Sequence, residues 1–301
     1  MRRQSEERKG EAMTGADVND AVVVITGANS GIGKETARGL AVTGARIVMA
    51  CRNLEKAEPV REALMRETGN DGISVMHIDL ASLASIRAFG RTFAATHSRL
   101  DILINNAGTF STSREETEDG FEKTMGTNHL GPFLLTHSLL PLLKRAPEAR
   151  IVNVSSRAAF FGKIDLEDLQ MTRSYGMAGF RAYAASKLAN VLFTQELAER
   201  LGGTGITVNA VHPGEVNTNI WPRHSAFWRL VDRIQSRLRK TAEEGARTVI
   251  FAATSERLKG VTSQFLVDER VGEVKGSCND IGLQKALWRA SEALTGISGP
   301  W

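Results

Sequence analysis

The sequence predicts an α/β fold in which a single parallel sheet is doubly wound, with helices on both of its faces. Short apolar, β-branched runs alternate with longer helix-forming stretches in repeated strand–helix units, and such units build parallel sheets that helices cover on both sides. A glycine-rich turn also joins the first strand to the first helix. No repeat, low-complexity linker or change of composition follows residue 20, so residues 21–301 are predicted to form one domain.

The predicted elements follow one another in this order. Strands are expected at 21–25, 45–51, 73–78, 100–104, 151–154, 206–211 and 264–267, and helices at 34–42, 55–67, 82–96, 117–143 and 182–201. Ser82 is the expected cap of the third helix, and the fourth helical stretch is expected to be interrupted near Gly131-Pro132.

Residues 1–20 are charged and lack an apolar segment. They are predicted to form a disordered tail, neither a signal peptide nor an anchor, and we expect a cytoplasmic protein.

Composition excludes several classes of function. The net charge is +4 and the pI is near 9.2, but Lys and Arg are scattered evenly, which is not the footprint of a protein that binds nucleic acid. The only cysteines are Cys51 and Cys278, without a C-x-x-C pair or a His/Cys cluster. No metal site and no disulfide framework are therefore predicted.

The glycine turn is the strongest single motif. Its residues are Thr26, Gly27, Ala28, Asn29, Ser30, Gly31, Ile32 and Gly33. Gly27 permits the sharp turn out of the strand, Gly31 allows the backbone to approach a pyrophosphate, and Gly33 allows close helix packing. The N–H groups of the following helix would face the phosphates. The order of strand, turn and helix therefore predicts a Rossmann-type dinucleotide site rather than a simple surface turn.

Four strand ends carry polar or glycine residues. Besides the glycine turn, they are Asn105 to Gly108, Ser155-Ser156, and Pro213-Gly214. Each alone is explained by turn chemistry. Because the carboxyl ends of parallel strands meet at one edge, all four together favour a bound dinucleotide.

Tyr183 and Lys187 lie four residues apart, on one face of a predicted helix. A phenol of ordinary pKa ~10 exchanges protons poorly at neutral pH, and a lysine one turn away would favour the phenolate and lower that pKa. Such a pair is commonly just a solvated helix face. Here the small residues between the two, and the serine pair upstream, favour an acid–base role.

The ordered strings TGANSGIG, NNAG, NHLG, IVNVSS, YAASK and HPGEVNT, over about residues 20–270, resemble the short-chain dehydrogenase/reductase family. The fuller strings are most similar to its retinol dehydrogenase-type branch. The resemblance implies that Tyr183 is the general acid/base and that Lys187 lowers its pKa and binds the nicotinamide ribose. It implies that Ser156, rather than Ser155, orients the substrate oxygen, and that Asn128 holds a water that links Lys187 to solvent.

The resemblance also implies further cofactor contacts. Asp79-Leu80 would contact adenine, Asn106, Ala107 and Gly108 would line the adenosine ribose, and Pro213 and Thr218 would position the nicotinamide, with Gly214 beside them. Asn128 could instead be an interior polar group of a helix, and Asp79 a helix cap. His129, His137 and His212 are interpreted as structural, because no ligand spacing connects them.

Cofactor choice rests on the end of the second strand. An NAD enzyme usually presents a carboxylate there to the ribose hydroxyls, whereas this chain has Cys51 followed by Arg52. A guanidinium can bind a 2′-phosphate that no carboxylate repels. NADP(H) is therefore predicted over NAD(H).

The segment at about 214–241 is expected to cover the substrate, as the corresponding segment does in the family. Its apolar helical stripe with flanking arginines, within 221–240, fits three interpretations: a lid over a hydrophobic substrate, a basic helix on an anionic membrane surface, or a packed surface helix. The charged N-terminal tail and Glu215 depart from the retinol dehydrogenase pattern and count against retinoid specificity. Family members commonly pair through the helices after strands four and five, so a homodimer or homotetramer is a further expectation.

The leading hypothesis is an NADP(H)-dependent reductase or dehydrogenase acting on a small to medium hydrophobic carbonyl compound or its alcohol. The alternative is a cofactor-binding sensor or scaffold that uses the fold without turnover. The presence of Ser156, Tyr183 and Lys187 together argues for the enzyme.

Overall fold

The computed structural model describes residues 18–215 and 240–301, and these build one eight-stranded sheet. The strands are β1 (Val22–Thr26), β2 (Arg46–Cys51), β3 (Ile73–His77), β4 (Ile102–Asn105), β5 (Arg150–Val154), β6 (Thr207–His212), β7 (Phe265–Val267) and β8 (Arg270–Gly272). Their spatial order is β3-β2-β1-β4-β5-β6-β7-β8, and only the β7–β8 pairing is antiparallel. The predicted fold class, a doubly wound parallel sheet of the Rossmann type, is confirmed.

Helices cover both faces of the sheet. They are α1 (Gly31–Ala41), α2 (Leu54–Thr68), α3 (Leu83–Thr96), α4 (Lys123–Met125), α5 (Gly131–Leu143), α6 (Phe180–Arg200), α7 (Ala242–Thr254) and α8 (Ile281–Thr295). Alternate residues of β1 point to opposite faces of the sheet. Val22 and Val24 pack in the core beneath α3, α5 and α6. Val23 and Ile25 pack in the core beneath α1, α2 and α7. This double burial explains why the strands read as continuous apolar runs.

The stretch expected as one helix over 117–143 differs from the prediction. Thr117 starts a turn, in which its N–H donates to the Phe121 carbonyl at 2.8 Å, and the helix begins only at Lys123. The chain then passes through a π-helical turn, Gly126–Leu130, directly into α5. Pro132 lies in the first turn of α5, where a missing N–H costs nothing. The irregularity therefore lies before Gly131-Pro132 rather than at it.

Other differences lie at the two ends of the chain. Val18 is buried and the Ala21 N–H donates to its carbonyl, so contacts with the domain are seen from residue 18 onward. Residues 1–17 lie outside the described part, and the predicted tail at 1–20 stays a prediction. Helices α7 and α8 and strand β8 were not predicted. In the described ranges, no helix combines the length and the apolar character that spanning a bilayer would need.

Candidate active site

The glycine turn between β1 and α1 has the geometry that its residue types allow. Gly27 and Gly31 have φ values of 68° and 54°, in the left-handed region. A Cβ at Gly33 would overlap the Gly27 carbonyl oxygen and lie 2.5 Å from Asn106 Nδ2, whereas a Cβ at Gly31 would meet nothing within 4 Å. Gly33 is thus required by packing, and Gly31 leaves free space above the turn.

A cleft of about 530 Å³ opens beside this turn. Every cofactor-binding residue predicted on β1 to β4 lines it: Gly27, Asn29, Ser30, Gly31, Ile32, Gly33, Arg52, Asp79, Leu80, Asn106, Ala107 and Gly108. The ends of β1, β2, β3 and β4 therefore meet at one edge of the sheet, as parallel strands require. Four further residues line the cleft and were not predicted: Thr109, Phe110, Lys123 and Thr127. Thr109 and Phe110 directly follow the NNAG motif, and this position could have indicated that they lie in the cleft.

Hydrogen bonds fasten the β4 end to β1. The Asn106 side chain donates from Nδ2 to the Thr26 carbonyl at 2.8 Å, and the backbone N–H groups of Asn106 and Ala107 both donate to Thr26 Oγ1, at 3.0 and 2.9 Å. Asn106 thus holds the ends of β1 and β4 together at the cleft, through its side chain and its backbone N–H. Asp79 lines the cleft, and its carboxylate also accepts a hydrogen bond from the Ala81 N–H at 2.9 Å, in the turn before α3. The side chain can therefore stabilise this turn and still face a ligand in the cleft.

Charge at the end of β2 is positive. The Cys51 thiol is buried and receives backbone hydrogen bonds from Ala28 and Asn29; burial raises its pKa to about 11, so it stays neutral. Arg52 follows it and lines the cleft. The other cationic lining residue, Lys123, forms an ion pair with Glu115 at 2.6 Å. The carboxylate that would face ribose hydroxyls in an NAD site is absent from this position of the sequence.

Tyr183, Ser156 and Lys187 converge at the far end of this edge. The Tyr183 and Ser156 side chains are hydrogen-bonded, and Lys187 Nζ lies 5.6 Å from the centroid of the Tyr183 ring. Lys187 Nζ donates to the Val154 carbonyl at 3.0 Å and sits near Gly108, where a Cβ would be 3.5 Å away. The three side chains therefore lie together beside the cleft.

Burial shifts the pKa values of Tyr183 and Lys187 toward their neutral forms. Burial raises the pKa of Tyr183 to about 12, against a smaller lowering by the Ser156 hydrogen bond. Burial lowers the pKa of Lys187 to about 8. The raised pKa of Tyr183 reflects its burial first of all, and the lowering by Lys187 that the resemblance implies stays a prediction.

The two serines after β5 have different partners. Ser155 is buried and its hydroxyl donates to the Lys187 carbonyl at 2.8 Å, which anchors α6 to β5. Ser156 Oγ accepts from the Ala158 N–H at 3.2 Å and contacts Tyr183. The geometry supports Ser156 as the serine available to a substrate.

Asn128 lies on the π-helical turn and is fully buried. Its Oδ1 accepts from the Thr109 N–H at 2.7 Å, and its Nδ2 donates to the Thr109 carbonyl at 2.9 Å and to Ser186 Oγ at 3.0 Å. The side chain therefore clamps the β4 loop to α6. This arrangement makes Asn128 a positioning residue, and its link to a water relay stays a prediction.

The remaining predicted residues follow β6. Pro213 and Gly214 lie at the same sheet edge as Ser156, but the structure does not bring them into the lining of the cleft over the described residues. Thr218 and most of the expected lid, 216–239, lie outside the described residues. His212 is buried, which lowers its pKa to about 4, and its Nδ1 accepts from the Arg157 N–H at 3.4 Å. Within 18–215 and 240–301, no cluster of potential metal ligands is found.

Comparisons with known proteins agree on the kind of protein. A sequence model described as short chain dehydrogenase matches residues 21–167 and 170–227. The chain is 46% identical to retinol dehydrogenase 12 of Homo sapiens over 288 residues, which cover 96% of this chain and 90% of that protein. It is also 46% identical to human retinol dehydrogenase 11 over 276 residues, 92% of this chain and 86% of that one.

Solved structures share the architecture. An uncharacterised protein from Mycobacterium paratuberculosis is 36% identical with a TM-score of 0.78, over 96% of this chain and 98% of that one. A short-chain dehydrogenase from Shigella flexneri complexed with NADP is 25% identical with a TM-score of 0.65, over 83% and 97% of the two chains.

Proposed function

The chain belongs to the short-chain dehydrogenase family, as its motifs predicted, and we propose that it interconverts a hydrophobic aldehyde or ketone and its alcohol with NADP(H). The observation that carries this proposal is the convergence of Ser156, Tyr183 and Lys187. The group lies next to Gly108 and Phe110, which line the cleft. A phenol, a hydroxyl and an ammonium group within reach of one another can orient a carbonyl and move a proton to it.

Two features of the cleft support a dinucleotide cofactor. They are the open space above Gly31 and the left-handed glycine turn at the N-terminus of α1, where a pyrophosphate would bind. The glycine turn would hold the pyrophosphate, 79–80 and 106–108 the adenosine half, and Lys187 the nicotinamide ribose. The cofactor supplies or accepts the hydride.

The chain's own residues handle the proton. Ser156 donates a hydrogen bond to the substrate oxygen, and Tyr183 gives that oxygen its phenolic proton as the carbonyl becomes an alcohol. Burial keeps the Tyr183 phenol protonated at neutral pH, and the protonated form is the one that donates a proton when the carbonyl is reduced. Lys187, with a pKa of about 8, carries its charge at neutral pH and stabilises negative charge that develops nearby.

NADP(H) is proposed over NAD(H). Arg52 lines the cleft directly after the neutral Cys51 thiol, and a guanidinium binds a phosphate with paired hydrogen bonds. The Shigella relative, complexed with NADP, supports the same choice.

The substrate class is proposed from the surroundings of Tyr183. The Phe110 ring lies 5.5 Å from the Tyr183 ring, which gives the reacting group an apolar neighbour. The retinol dehydrogenase relatives make retinal a necessary member of any substrate panel, although the charged tail and Glu215 count against it.

The experiment is oxidation of NADPH against a panel of aldehydes, ketones and retinal, with Tyr183→Phe as the test variant. We expect turnover by the wild-type chain, a loss of at least about a hundredfold in kcat for the variant, and an unchanged Kd for NADPH. Tight binding of NADPH by both proteins without any turnover would contradict the enzyme and favour the sensor or scaffold alternative.

A further inference from the structure

The segment that leads into α6 has an unusual backbone. Met177, Ala178 and Gly179 have φ values of 56°, 47° and 85°, three consecutive residues in the left-handed region, and α6 begins at Phe180. Two of the three are not glycine, and L-residues with a side chain avoid this region. Such a segment persists only where surrounding contacts hold it in place. Tyr183 lies on the first turn of the helix that follows.

The contacts that hold this segment centre on Tyr175. Its hydroxyl lies 3.1 Å from the Ser111 carbonyl oxygen and 3.1 Å from Glu122 Oε1, two acceptors that share the single phenolic proton. Gly179 packs so closely on the same loop that a Cβ there would overlap the Ser111 carbonyl oxygen. We call Ser111, Glu122 and Tyr175 the Tyr175 clamp.

Glu122 connects the clamp to the helix that carries Asn128. Its side chain is fully buried, and its two carboxylate oxygens accept from the N–H groups of Thr124 at 2.8 Å and Met125 at 2.6 Å. Its own N–H donates to Gln170 Oε1 at 2.6 Å. The buried carboxylate of Glu122 therefore binds the start of α4 directly. Through the Tyr175 hydroxyl it is also linked to the segment before α6 and to Ser111 in the loop after β4.

The clamp also reaches the reacting phenol. Ser111 directly follows Phe110, whose ring lies 5.5 Å from the Tyr183 ring. We propose that Tyr175 is a positioning residue for the reaction: through Ser111 and Glu122 it fixes both Phe110 and the first turn of α6, and so the placement of Tyr183. This inference rests on the proposed function. It adds to that function a residue that touches neither substrate nor cofactor.

The test uses the fact that the chain has two tyrosines. In full-length protein labelled with 3-fluorotyrosine, Tyr175→Phe leaves a single ¹⁹F resonance, that of Tyr183, and Tyr183→Phe assigns the other. We expect the Tyr183 resonance of Tyr175→Phe to move away from its wild-type position. We expect kcat to fall about tenfold, since small displacements of a reacting group are costly, and the Kd for NADPH to stay within about twofold, since the glycine turn is untouched.

Ser174→Ala is the matched control. It removes a hydrogen bond of the same segment, from Arg181 Nη1 to Ser174 Oγ at 3.2 Å, but leaves the clamp intact, so the Tyr183 resonance and kcat should match the wild type. A wild-type Tyr183 resonance in Tyr175→Phe overturns the proposal, whatever happens to kcat. If the wild-type chain shows no turnover, the proposed function fails, while the resonance still decides whether Tyr175 positions Tyr183.

Discussion

At the scale of single residues, burial controls the protons of the site. Tyr183 and Lys187 are both buried, and burial shifts their pKa values toward the neutral forms, to about 12 and about 8. The sequence pattern shows that an ammonium group and a phenol lie one helical turn apart, but it does not show that both groups lose contact with water. Desolvation is visible only once α6 is packed against β5.

Lys187 should therefore leave a signature in the pH dependence of stability. Between its folded pKa of about 8 and its ordinary value of 10.5, the unfolded chain holds a proton that the folded chain has lost, so this residue makes the free energy of unfolding rise with pH. We expect Lys187→Met to remove that rise. The difference between wild type and variant should change by up to about 1.4 kcal/mol per pH unit in this window.

Urea unfolding at pH 7.5, 8.5 and 9.5 measures this difference, because contributions from all other groups cancel between the two proteins. Lys187→Met should be the more stable protein at pH 7.5 and should lose about 2 kcal/mol of that advantage by pH 9.5. A gap that stays constant with pH contradicts the lowered pKa of Lys187.

Arg52 carries the prediction on cofactor choice. Arg52→Ala should raise the KM for NADPH at least about tenfold, as loss of a charge-assisted contact to a phosphate would, and change the KM for NADH little. Arg66→Ala is the control, because this exposed arginine of α2 pairs only loosely with Glu62, at 3.8 Å. Equal effects of Arg52→Ala on both cofactors would rule out recognition of the 2′-phosphate by this residue.

At the scale of elements, the turn between β1 and α1 separates two uses of glycine. Gly33 lets α1 pack on Gly27 and Asn106, whereas Gly31 combines a left-handed φ of 54° with open space around its missing side chain. The first use concerns folding and the second concerns the ligand.

Gly31→Ala should therefore weaken binding more than stability. We expect a loss of about 1 kcal/mol in the free energy of unfolding, the cost of an alanine in the left-handed region, and a Kd for NADPH at least about tenfold higher, because the new methyl group occupies the space above the turn. Gly203→Ala is the matched control: Gly203 has a φ of 79° and no neighbour within 4 Å, but lies after α6, away from the cleft. Gly203→Ala should show the same loss in the free energy of unfolding and keep the wild-type Kd for NADPH.

Equal Kd values for the two variants would contradict a role of Gly31 at the pyrophosphate.

At the scale of the whole molecule, the chain covers its own helices α5 and α6. Helix α8 is attached to α6 by a 2.9 Å hydrogen bond from Gln284 Nε2 to the buried carboxylate of Glu196. The Trp301 ring packs 4.8 Å from that of Phe133 on α5 and 4.4 Å from that of Trp288 on α8. These are the helices after strands four and five, through which pairing was expected, so a partner could use this face only by displacing the C-terminal segment.

Trp301→Ala should expose this aromatic cluster. We expect a loss of about 2 kcal/mol in the free energy of unfolding, below the range for a fully buried tryptophan because Trp301 is only half-buried, and unchanged kcat and Kd, because the cluster lies away from the cleft. Ile281→Ala, at an exposed site at the start of α8, is the control and should be neutral. Light scattering should give the wild-type chain a mass near 32.7 kDa. A wild-type dimer that Trp301→Ala disrupts would contradict the idea that the C-terminal segment, rather than a partner, covers α5 and α6.

Seven of the eight strands, the glycine turn and the residues at the strand ends can be read from the sequence alone. Period and residue type encode these features locally: β-branched runs form strands, glycine permits φ values near 60°, and a four-residue spacing puts Tyr183 and Lys187 on one helix face. Their meeting at one edge follows from parallel pairing alone.

The contacts of each side chain, in contrast, become visible only in the folded chain. Asn128 is a clamp because Thr109 and Ser186 surround it, the Ser155 hydroxyl is taken by the Lys187 carbonyl, and Tyr175 reaches Glu122 and Ser111 across more than fifty residues of chain. Helix α8 was not predicted, yet it determines which face of α6 is covered. Hydrogen-bond partners and loss of water depend on residues that are distant in sequence, and no local pattern carries that information.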